Sequence, residues 1–382
     1  MASDDLCYLD HAASTPLRTE VFDVMVPYLR DHFGNPSGAH RVARDARRAL
    51  EEARDRVAEV VGSSPHDVVF TSGGTESDNL AVRGFVSQEY PTPVCPATEH
   101  HAVLDPVEHL DGRIVRVDST GRVDLEHLAA SLDPSVGLVS VMAVNNETGT
   151  IADLASISDV VRSSAPQAIL HCDAVQAANW LDLVDVYAKV DALSLAGHKI
   201  GGPKGVGVLV VSASATPRPM LLGGGQEHER RSGTQNVAGA VGFAAALLAT
   251  TRDRASQAAR VSALSDRLVA GAIAIEGVEA TVGAEARVPG ICHLTTSVNS
   301  EDLLILLDRE GVMASAASSC ASGALNPSHV LLAMGRSVAQ ATGALRLSMS
   351  HGSDNAQIDR LLEVLPPAIE TLRAASDGSG RA

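Results

Sequence analysis

One lysine stands where the chain could place a reactive amine. A strand-like apolar run ends at Ala196. Gly197, His198 and Lys199 follow it, ahead of a glycine-rich stretch at 201–207. Glycines at such a corner let the backbone approach a bound group closely. A lysine held there can be partly desolvated, and its amine then loses its proton more easily, as Schiff-base chemistry requires. The alternative is a surface lysine beside a glycine turn, and the other motifs favour the first interpretation.

A second reactive group is the thiol of Cys320, which lies among small side chains between Gly311 and Gly323. Small polar neighbours predict an exposed and mobile thiol, whereas a structural cysteine would be packed in apolar surroundings. The other cysteines are scattered and form no CxxC motif, which argues against a disulfide framework and against a zinc site. They are Cys7, Cys95, Cys172 and Cys292. We interpret them as structural and expect no metal.

An anion-binding turn is predicted around residues 71–74, where a strand-like run passes through two glycines into an apolar helix. Free backbone N–H groups at a helix N-terminus bind anions, and Thr75 adds a hydroxyl donor. The spacing matches neither GxGxxG nor the Walker P-loop, so a nucleotide is not indicated. The alternative is an ordinary helix capped by Thr71 or Ser72, but two glycines are more than a cap requires.

Polar side chains follow several predicted strands at the same end. Strand-like and helical runs alternate between residues 93 and 196, which predicts a mostly parallel sheet covered by helices on both faces. Ligands bind such sheets beyond the carboxyl ends of the strands, so the fold would bring these side chains into one crevice. They are His100, then Asn145 and Asn146, then Asp173 and Gln176, then His198 and Lys199.

The composition argues against nucleic-acid binding and against membrane binding. The chain has 382 residues, 45% of them hydrophobic, and a formal net charge of −16. Because it has no dense run of Lys and Arg, we expect neither direct nucleic-acid binding nor membrane binding. No apolar run reaches the length of a membrane span and no secretory signal is evident, so we expect a cytoplasmic protein with reduced thiols.

The length favours two domains. The predicted division is a large domain at 15–255, a small domain made of 1–14 and 256–375 that carries the Cys320 loop, and a disordered tail at 376–382. An Ala-rich helical region from Val237 to about Ile275 is expected to link the domains. A long polar loop at 223–236 has no apolar core, and such a loop is either functional or disordered.

Specific motifs then extend along nearly the whole chain. They are Tyr8-Leu-Asp-His-Ala-Ala13, Thr71-Ser-Gly-Gly-Thr-Glu-Ser-Asp-Asn79, Thr98-Glu-His100, Asn145-Asn-Glu-Thr-Gly149, Asp173-Ala-Val-Gln176, Gly197-His-Lys199, Arg231-Ser-Gly-Thr234, Cys320 ahead of Pro327-Ser-His-Val-Leu-Leu-Ala-Met-Gly335, and Leu345-Arg-Leu-Ser348. With these motifs the chain resembles the NifS/IscS-type cysteine desulfurases, pyridoxal 5′-phosphate enzymes of the class-V aminotransferase family. The resemblance implies an α/β fold of the aspartate-aminotransferase type, with a mostly parallel sheet in the large domain and a small α+β C-terminal domain.

The resemblance also implies a role for each matched residue. Lys199 would hold the cofactor covalently and remove the substrate's Cα proton. Asp173 would pair with the ring nitrogen, and His100 would stack on the ring and take part in catalysis. Cys320 would attack the substrate sulfur and carry it as a persulfide. The remaining implied contacts are Asn146 and Gln176 to the oxygen side of the ring, Gly74, Thr75 and His198 to the phosphate, Thr234 to the phosphate of the neighbouring subunit, and Arg346 with Asn35 and Asn146 to the substrate.

The implied protein is a homodimer that converts L-cysteine into L-alanine and passes sulfur to an acceptor protein. A selenocysteine lyase, another pyridoxal-phosphate-dependent cysteine lyase and a weakly active sulfur-transfer scaffold remain alternatives. Two positions depart from the family pattern. Ala196 replaces a serine found in many relatives. The change removes a hydroxyl donor to the phosphate, and such a hydrogen bond contributes about 1 kcal/mol to binding. Ala317 replaces a loop glycine, which would stiffen the loop or restrict its partners.

Overall fold

The computed structural model describes residues 6–213, 215–316 and 327–379, with side chains described as far as residue 376. The helices are α1 (Thr19–Arg30), α2 (Arg41–Val61), α3 (Gly74–Phe85), α4 (His101–His109), α5 (Leu125–Ala130), α6 (Leu154–Ser164), α7 (Leu183–Tyr187), α8 (Val237–Ile273), α9 (Ser300–Arg309), α10 (His329–Ala333), α11 (Val338–Thr342) and α12 (Asn355–Ser379). The strands are β1 (Cys7–Tyr8), β2 (Val68–Thr71), β3 (Thr92–Pro96), β4 (Arg113–Val115), β5 (Val136–Met142), β6 (Ile169–Asp173), β7 (Ala192–Ala196), β8 (Gly207–Val211), β9 (Val278–Ala280), β10 (Ile291–Thr296), β11 (Val312–Met313) and β12 (Ala344–Ser348).

A seven-stranded sheet of order β2-β8-β7-β6-β5-β3-β4 carries the functional residues. The pairs from β7 to β4 are parallel, and β8 pairs antiparallel with both β7 and β2. Every residue of β5 and of β7 is buried, as expected for parallel strands covered on both faces. The predicted mostly parallel sheet is therefore confirmed. Strand β8 was not predicted, because its sequence continues the glycine-rich stretch without a break.

The C-terminal part has smaller sheets. Strands β12, β10 and β9 form an antiparallel sheet, and β1 pairs in parallel with β11. A further bridge joins Asp10 to Ser348. The N-terminal residues therefore pack with the C-terminal third of the chain and run from there towards the large sheet.

Helix α8 contributes to both main apolar cores. It is 37 residues long. Val237, Val241 and Phe243, in its first half, are buried in the core that covers the large sheet. Leu264 and Leu268, in its second half, are buried in a separate core with β10, β12 and α12. The Ala-rich region that was expected to be a linker is thus a continuous helix with one half packed in each core.

One local prediction was wrong. Helix α12 continues to Ser379, so residues 376–379, which were assigned to a disordered tail, are helical. The hydroxyl of Ser376 donates to the carbonyl of Leu372 one turn earlier, which is compatible with a helix. Helix α10 begins at His329, because Ser328 is its N-cap and accepts a hydrogen bond from the N–H of Leu331.

Within the described ranges, no helix combines the length and the apolar character needed to cross a membrane.

Candidate active site

A cavity of about 320 Å³ lies beyond the carboxyl ends of β5, β6 and β7. Most of the predicted site residues line it together: Gly74, Thr75, His100, Asn146, Asp173, Gln176, His198, Lys199 and Arg346. Asn35 and Thr234 are exposed and do not line it. Cys320 lies outside the described residues. The crevice expected from the strand ends is therefore present.

Lys199 ends a short 3-10 turn that follows β7, and its amine is directed into this cavity. Nζ donates hydrogen bonds to the carbonyls of Ala12 (2.6 Å) and Ala13 (2.9 Å). The backbone of the turn is close-packed, since a Cβ on Gly197 would lie 2.7 Å from the carbonyl oxygen of Pro203. The glycine before His198 is thus required by space, and it sets the position of the amine.

Asp173, the last residue of β6, is buried in the same cavity. Burial raises the pKa of its carboxyl to about 6. The N–H of Val175 donates to it at 2.9 Å, and the positive charge of Lys199 also favours the ionised form. A buried anionic acceptor of this kind suits a protonated ring nitrogen, whose charge it would pair with.

The N-terminus of α3 forms part of the cavity wall through Gly74 and Thr75. Its N-cap is Gly73, and no side chain caps the helix, so the alternative with Thr71 or Ser72 as the cap was wrong. A Cβ on Gly74 would lie 2.8 Å from Cγ2 of Val175, so glycine allows this close approach. An uncapped helix N-terminus at a cavity wall presents N–H groups to an anion, and it matches the predicted phosphate site in its chemistry.

Two histidines of the cavity are held neutral. Burial, followed by the charge of Lys199, lowers the pKa of both His100 and His198 to about 4. Nδ1 of His100 accepts a hydrogen bond from the N–H of Ala102 at 3.0 Å, which places the ring proton on Nε2. A neutral imidazole ring can lie against a flat aromatic ligand without the cost of burying a charge.

Arg346, on β12, brings the C-terminal part of the chain to the cavity. Nη1 donates to the carbonyl of Asn146 at 2.9 Å, and Nη2 donates to Oδ1 of Asp10 at 2.8 Å. Nε of Arg346 and Oδ1 of Asn146 are buried, and neither has a hydrogen-bond partner within the described part of the chain. These unsatisfied groups fit a ligand that supplies both an acceptor and a donor, such as an amino acid.

The loop at 223–236 is anchored by a buried ion pair. Glu227 accepts hydrogen bonds from Nη1 and Nη2 of Arg54 at 2.8 and 3.0 Å, from the N–H of Phe70 and from Nε2 of Gln235. Phe70 immediately precedes the turn at the phosphate end of the cavity. The anchor therefore fixes the loop that carries Thr234 to the strand that leads into α3.

Sequence reasoning missed four groups that line the cavity or contact a residue that lines it. They are the Asp10 carboxylate, the carbonyls of Ala12 and Ala13, and the buried carboxyl of Asp78. A signal for Asp78 existed, because it follows Gly74 by one helical turn and so shares its face of α3. No comparable signal existed for Asp10, whose partner Arg346 lies 336 residues away in sequence.

Comparison with known proteins identifies the family. The pattern of the Aminotransferase class-V family matches residues 7–361. The chain is 41% identical to the IscS-like cysteine desulfurase of Mycobacterium tuberculosis, over 97% of this chain and 98% of the relative. It resembles the solved structure of a NifS-like protein with a TM-score of 0.89 and 32% identity, over 96% of this chain and 100% of the other. It also resembles SspA in complex with cysteine with a TM-score of 0.78 and 29% identity, over 90% of this chain and 98% of the other.

These similarities confirm the family and the α/β fold predicted from the motifs. Members of the family are enzymes that depend on pyridoxal 5′-phosphate, and the cavity fits that cofactor. The amine of Lys199, the buried carboxyl of Asp173 and the uncapped end of α3 supply what its aldehyde, ring nitrogen and phosphate each require. The chain belongs to the class-V aminotransferase family of pyridoxal-phosphate enzymes.

Proposed function

We propose that this protein is a cysteine desulfurase, which converts L-cysteine into L-alanine and passes the sulfur on as a persulfide of Cys320. The observation that carries the proposal is the shared cavity. It is lined both by groups suited to pyridoxal phosphate and by Arg346 and Asn146, which have unsatisfied groups suited to an amino acid. The relatives named as cysteine desulfurases supply the choice of amino acid.

When bound, pyridoxal phosphate supplies an electron sink that stabilises the negative charge left at Cα. The residues of the chain perform the other tasks. Lys199 removes the proton from Cα, and the carbonyls of Ala12 and Ala13 hold its amine in place beforehand. Asp173 keeps a positive charge on the ring nitrogen, while Arg346 orients the substrate through its carboxylate.

The sulfur step is redox-neutral. The thiolate of Cys320 forms an S–S bond to the substrate sulfur, and the C–S bond of the substrate breaks. The electron pair of that bond stays with the three-carbon fragment, which takes up protons and leaves as alanine. Two described residues that flank the Cys320 segment support a position of the thiol near the cavity. Ser315 pairs with Arg346, and Ser328 donates a hydrogen bond to Glu147, the neighbour of Asn146.

We further propose a homodimer in which Thr234 of one subunit reaches the phosphate in the other, with Asn35 assisting Arg346 at the substrate. An acceptor protein then takes the sulfur. The exposure of Thr234 on an anchored loop supports the first part. Cys7, Cys95 and the other described cysteines are unpaired, which supports the reducing environment of the cytoplasm. The two apolar cores support the proposed large and small domains.

The test is a spectrum of the purified protein, followed by assays of alanine and sulfide on added L-cysteine with a reductant present. We expect a visible cofactor band in the wild type and its loss in Lys199→Ala. Cys320→Ala should keep a substrate-dependent spectral change but release no sulfide. Cys95→Ala is the matched control, since burial raises the pKa of that thiol well above its usual value and makes it inert. A colourless wild-type protein, or full sulfide release by Cys320→Ala, would contradict the proposal.

A further inference from the structure

A carboxylate lies beside the helix end that faces the cavity. Glu76 is the third residue of α3, and the first two, Gly74 and Thr75, line the cavity. Oε2 of Glu76 accepts a hydrogen bond from the N–H of Ser72 at 2.7 Å. Since Ser72 precedes the N-cap Gly73, this side chain folds back over the start of the helix. Its carboxylate therefore lies within the turn that would bind a phosphate.

The position of Glu76 disfavours an anionic ligand. The positive end of the helix dipole attracts a carboxylate in the first turn and a phosphate at the same end, but the two negative groups repel each other. Among the described residues that line the cavity, Lys199 and Arg346 are the only lysine and arginine. Both have other tasks in the proposed function, at the cofactor's aldehyde carbon and at the substrate's carboxylate. The charge of Glu76 must therefore be offset from outside the cavity lining.

Arg231 supplies this counter-charge. Its Nε donates to Oε1 of Glu76 at 2.8 Å, and its Nη2 donates to Oε2 at 3.2 Å. A guanidinium fork that contacts both oxygens of a carboxylate is a strong and specific ion pair. Both side chains are largely shielded from water, with exposures of 21% for Arg231 and 17% for Glu76. Burial alone would raise the pKa of Glu76, but hydrogen bonds from Arg231 and Ser72 hold that pKa below its usual value, so the carboxyl is ionised at neutral pH.

The loop that carries Arg231 is held by contacts of its own. The N–H of Ser232 donates to the carbonyl of Leu221 at 3.2 Å, and the N–H of Gly233 donates to Oε1 of Gln226 at 2.9 Å. The buried ion pair described above anchors the same loop. None of these contacts uses the guanidinium of Arg231. Removal of this side chain should therefore change the charge beside α3 and leave the loop in place.

We propose that Arg231 is a positioning residue for the cofactor's phosphate, which neutralises and holds the carboxylate of Glu76 so that the end of α3 accepts a second anion. The proposal rests on the proposed position of the phosphate at the end of α3. It does not depend on the choice of L-cysteine as the substrate.

The test is the dissociation constant of pyridoxal phosphate, measured by equilibrium dialysis of the full-length holoenzyme. Arg231→Ala leaves the charge of Glu76 unopposed and should weaken binding about 5- to 30-fold, as expected for a charge at a partly buried helix end. Glu76→Gln keeps an acceptor for the N–H of Ser72 but has no charge, so it should bind the cofactor at least as tightly as the wild type. The double variant should return to within about threefold of the wild type, because the repulsion and its counter-charge are removed together.

Three controls separate the charge from a general loss of structure. Arg231→Lys keeps the charge without the fork and should recover most of the affinity that Arg231→Ala loses. Arg162→Ala breaks an ion pair with Asp191 that lies away from α3 and from the cavity lining, and it should bind the cofactor like the wild type. Pyridoxal, which lacks the phosphate, should bind the wild type and Arg231→Ala with similar affinity.

The sign of the Glu76→Gln effect is decisive. If the ion pair only braced the loop, both single variants would bind pyridoxal phosphate more weakly and the double variant would not recover. Weaker binding by Glu76→Gln would therefore overturn the proposal, and this variant gives the answer even if Arg231→Ala does not fold. Wild-type affinity in Arg231→Ala, a double variant as weak as Arg231→Ala, or an equal loss of affinity for pyridoxal would also overturn it.

The outcomes separate this inference from the proposed function. A protein that binds the cofactor but does not act on L-cysteine would contradict the function and leave the effects of Arg231 and Glu76 unchanged. An active desulfurase whose cofactor affinity does not depend on Arg231 would contradict only the inference. A wild-type protein that binds pyridoxal as tightly as pyridoxal phosphate would contradict the phosphate position and this inference with it.

Discussion

Replacing Arg346 with alanine should abolish the preference of the protein for substrates with a free carboxylate. Its guanidinium is buried, with side-chain exposure of 6%. One hydrogen of Nη1 is taken by the carbonyl of Asn146 and one of Nη2 by Asp10. The buried and unpartnered Nε–H and the remaining Nη hydrogens are then the donors left for a ligand.

The magnitude follows from these donors. A hydrogen bond to a charged group contributes about 1.5–3 kcal/mol. Two such bonds, reduced because Asp10 already neutralises part of the positive charge, amount to about 2–4 kcal/mol, or about 30- to 1,000-fold in binding. We therefore expect wild-type kcat/KM for L-cysteine to exceed that for L-cysteine methyl ester by this factor, and we expect the two values to converge in Arg346→Ala.

The ratio of the two substrates is measured as sulfide release with a reductant present. It is insensitive to general damage, because a loss of folded protein lowers both rates equally. Arg336→Ala is the matched control, since Arg336 lies in the same C-terminal part but does not line the cavity. If Arg346→Ala retained the wild-type ratio, the assignment of this arginine to the substrate carboxylate would be wrong.

Three further predictions concern cofactor affinity and stability. Ala196→Ser adds a hydroxyl at the cavity wall. One added hydrogen bond of about 1 kcal/mol should tighten pyridoxal phosphate binding about fivefold in an equilibrium titration. An unchanged affinity would show that the hydroxyl does not reach the phosphate. Glu227→Gln removes the buried counter-charge of Arg54 and should lower the free energy of unfolding in urea by about 3–5 kcal/mol. Glu51→Gln removes only a half-exposed partner of the same arginine and should cost less than about 1 kcal/mol. Burial lowers the pKa of His293 to about 3. As the pH falls below about 6.5, this histidine therefore takes up a proton in the unfolded chain but not in the folded one. The free energy of unfolding should fall by about 1.4 kcal/mol per pH unit because of this residue. The free energy of unfolding of His293→Gln should therefore decline less steeply between pH 6 and pH 5, and the difference in slope should be about that of one titrating group. An identical slope would refute the linkage.

Much of the site could be predicted because its residues follow parallel strands. Asp173 ends the mostly apolar strand β6, and Lys199 lies three residues after the end of β7, so the sheet edge where they meet could be inferred from the alternation of strands and helices. The anion-binding turn around residues 71–74 was predicted from its two glycines and the helix that follows them. Each of these signals lies within a short stretch of sequence. Because parallel strands end at the same edge of the sheet, the fold brings the residues that follow them close together.

The parts that could not be predicted depend on long-range contacts. The pairing of Asp10 with Arg346 joins residues 336 positions apart in sequence, and the contact of Ala12 with Lys199 joins residues 187 positions apart. Strand β8 was missed although its apolar run at 208–211 is typical of a buried strand, and its antiparallel direction has no signature in the sequence. The start of helix α10 depends on the Ser328 hydroxyl, which accepts a hydrogen bond from the N–H of Leu331 and donates one to the carboxyl of Glu147.

The contact between Asp10 and Arg346 has a consequence for how the protein is made. The two residues are 336 positions apart, and a ribosome adds about 5–20 residues per second. The guanidinium is therefore synthesised about 20 to 70 s after the carboxylate that receives it. Towards the end of that interval the nascent chain already contains the large sheet and Lys199, but β12, which brings Arg346 to the cavity, has not been synthesised. A cofactor bound at that stage would lie in a cavity that is open on the β12 side. The site is complete only after β12 has been synthesised.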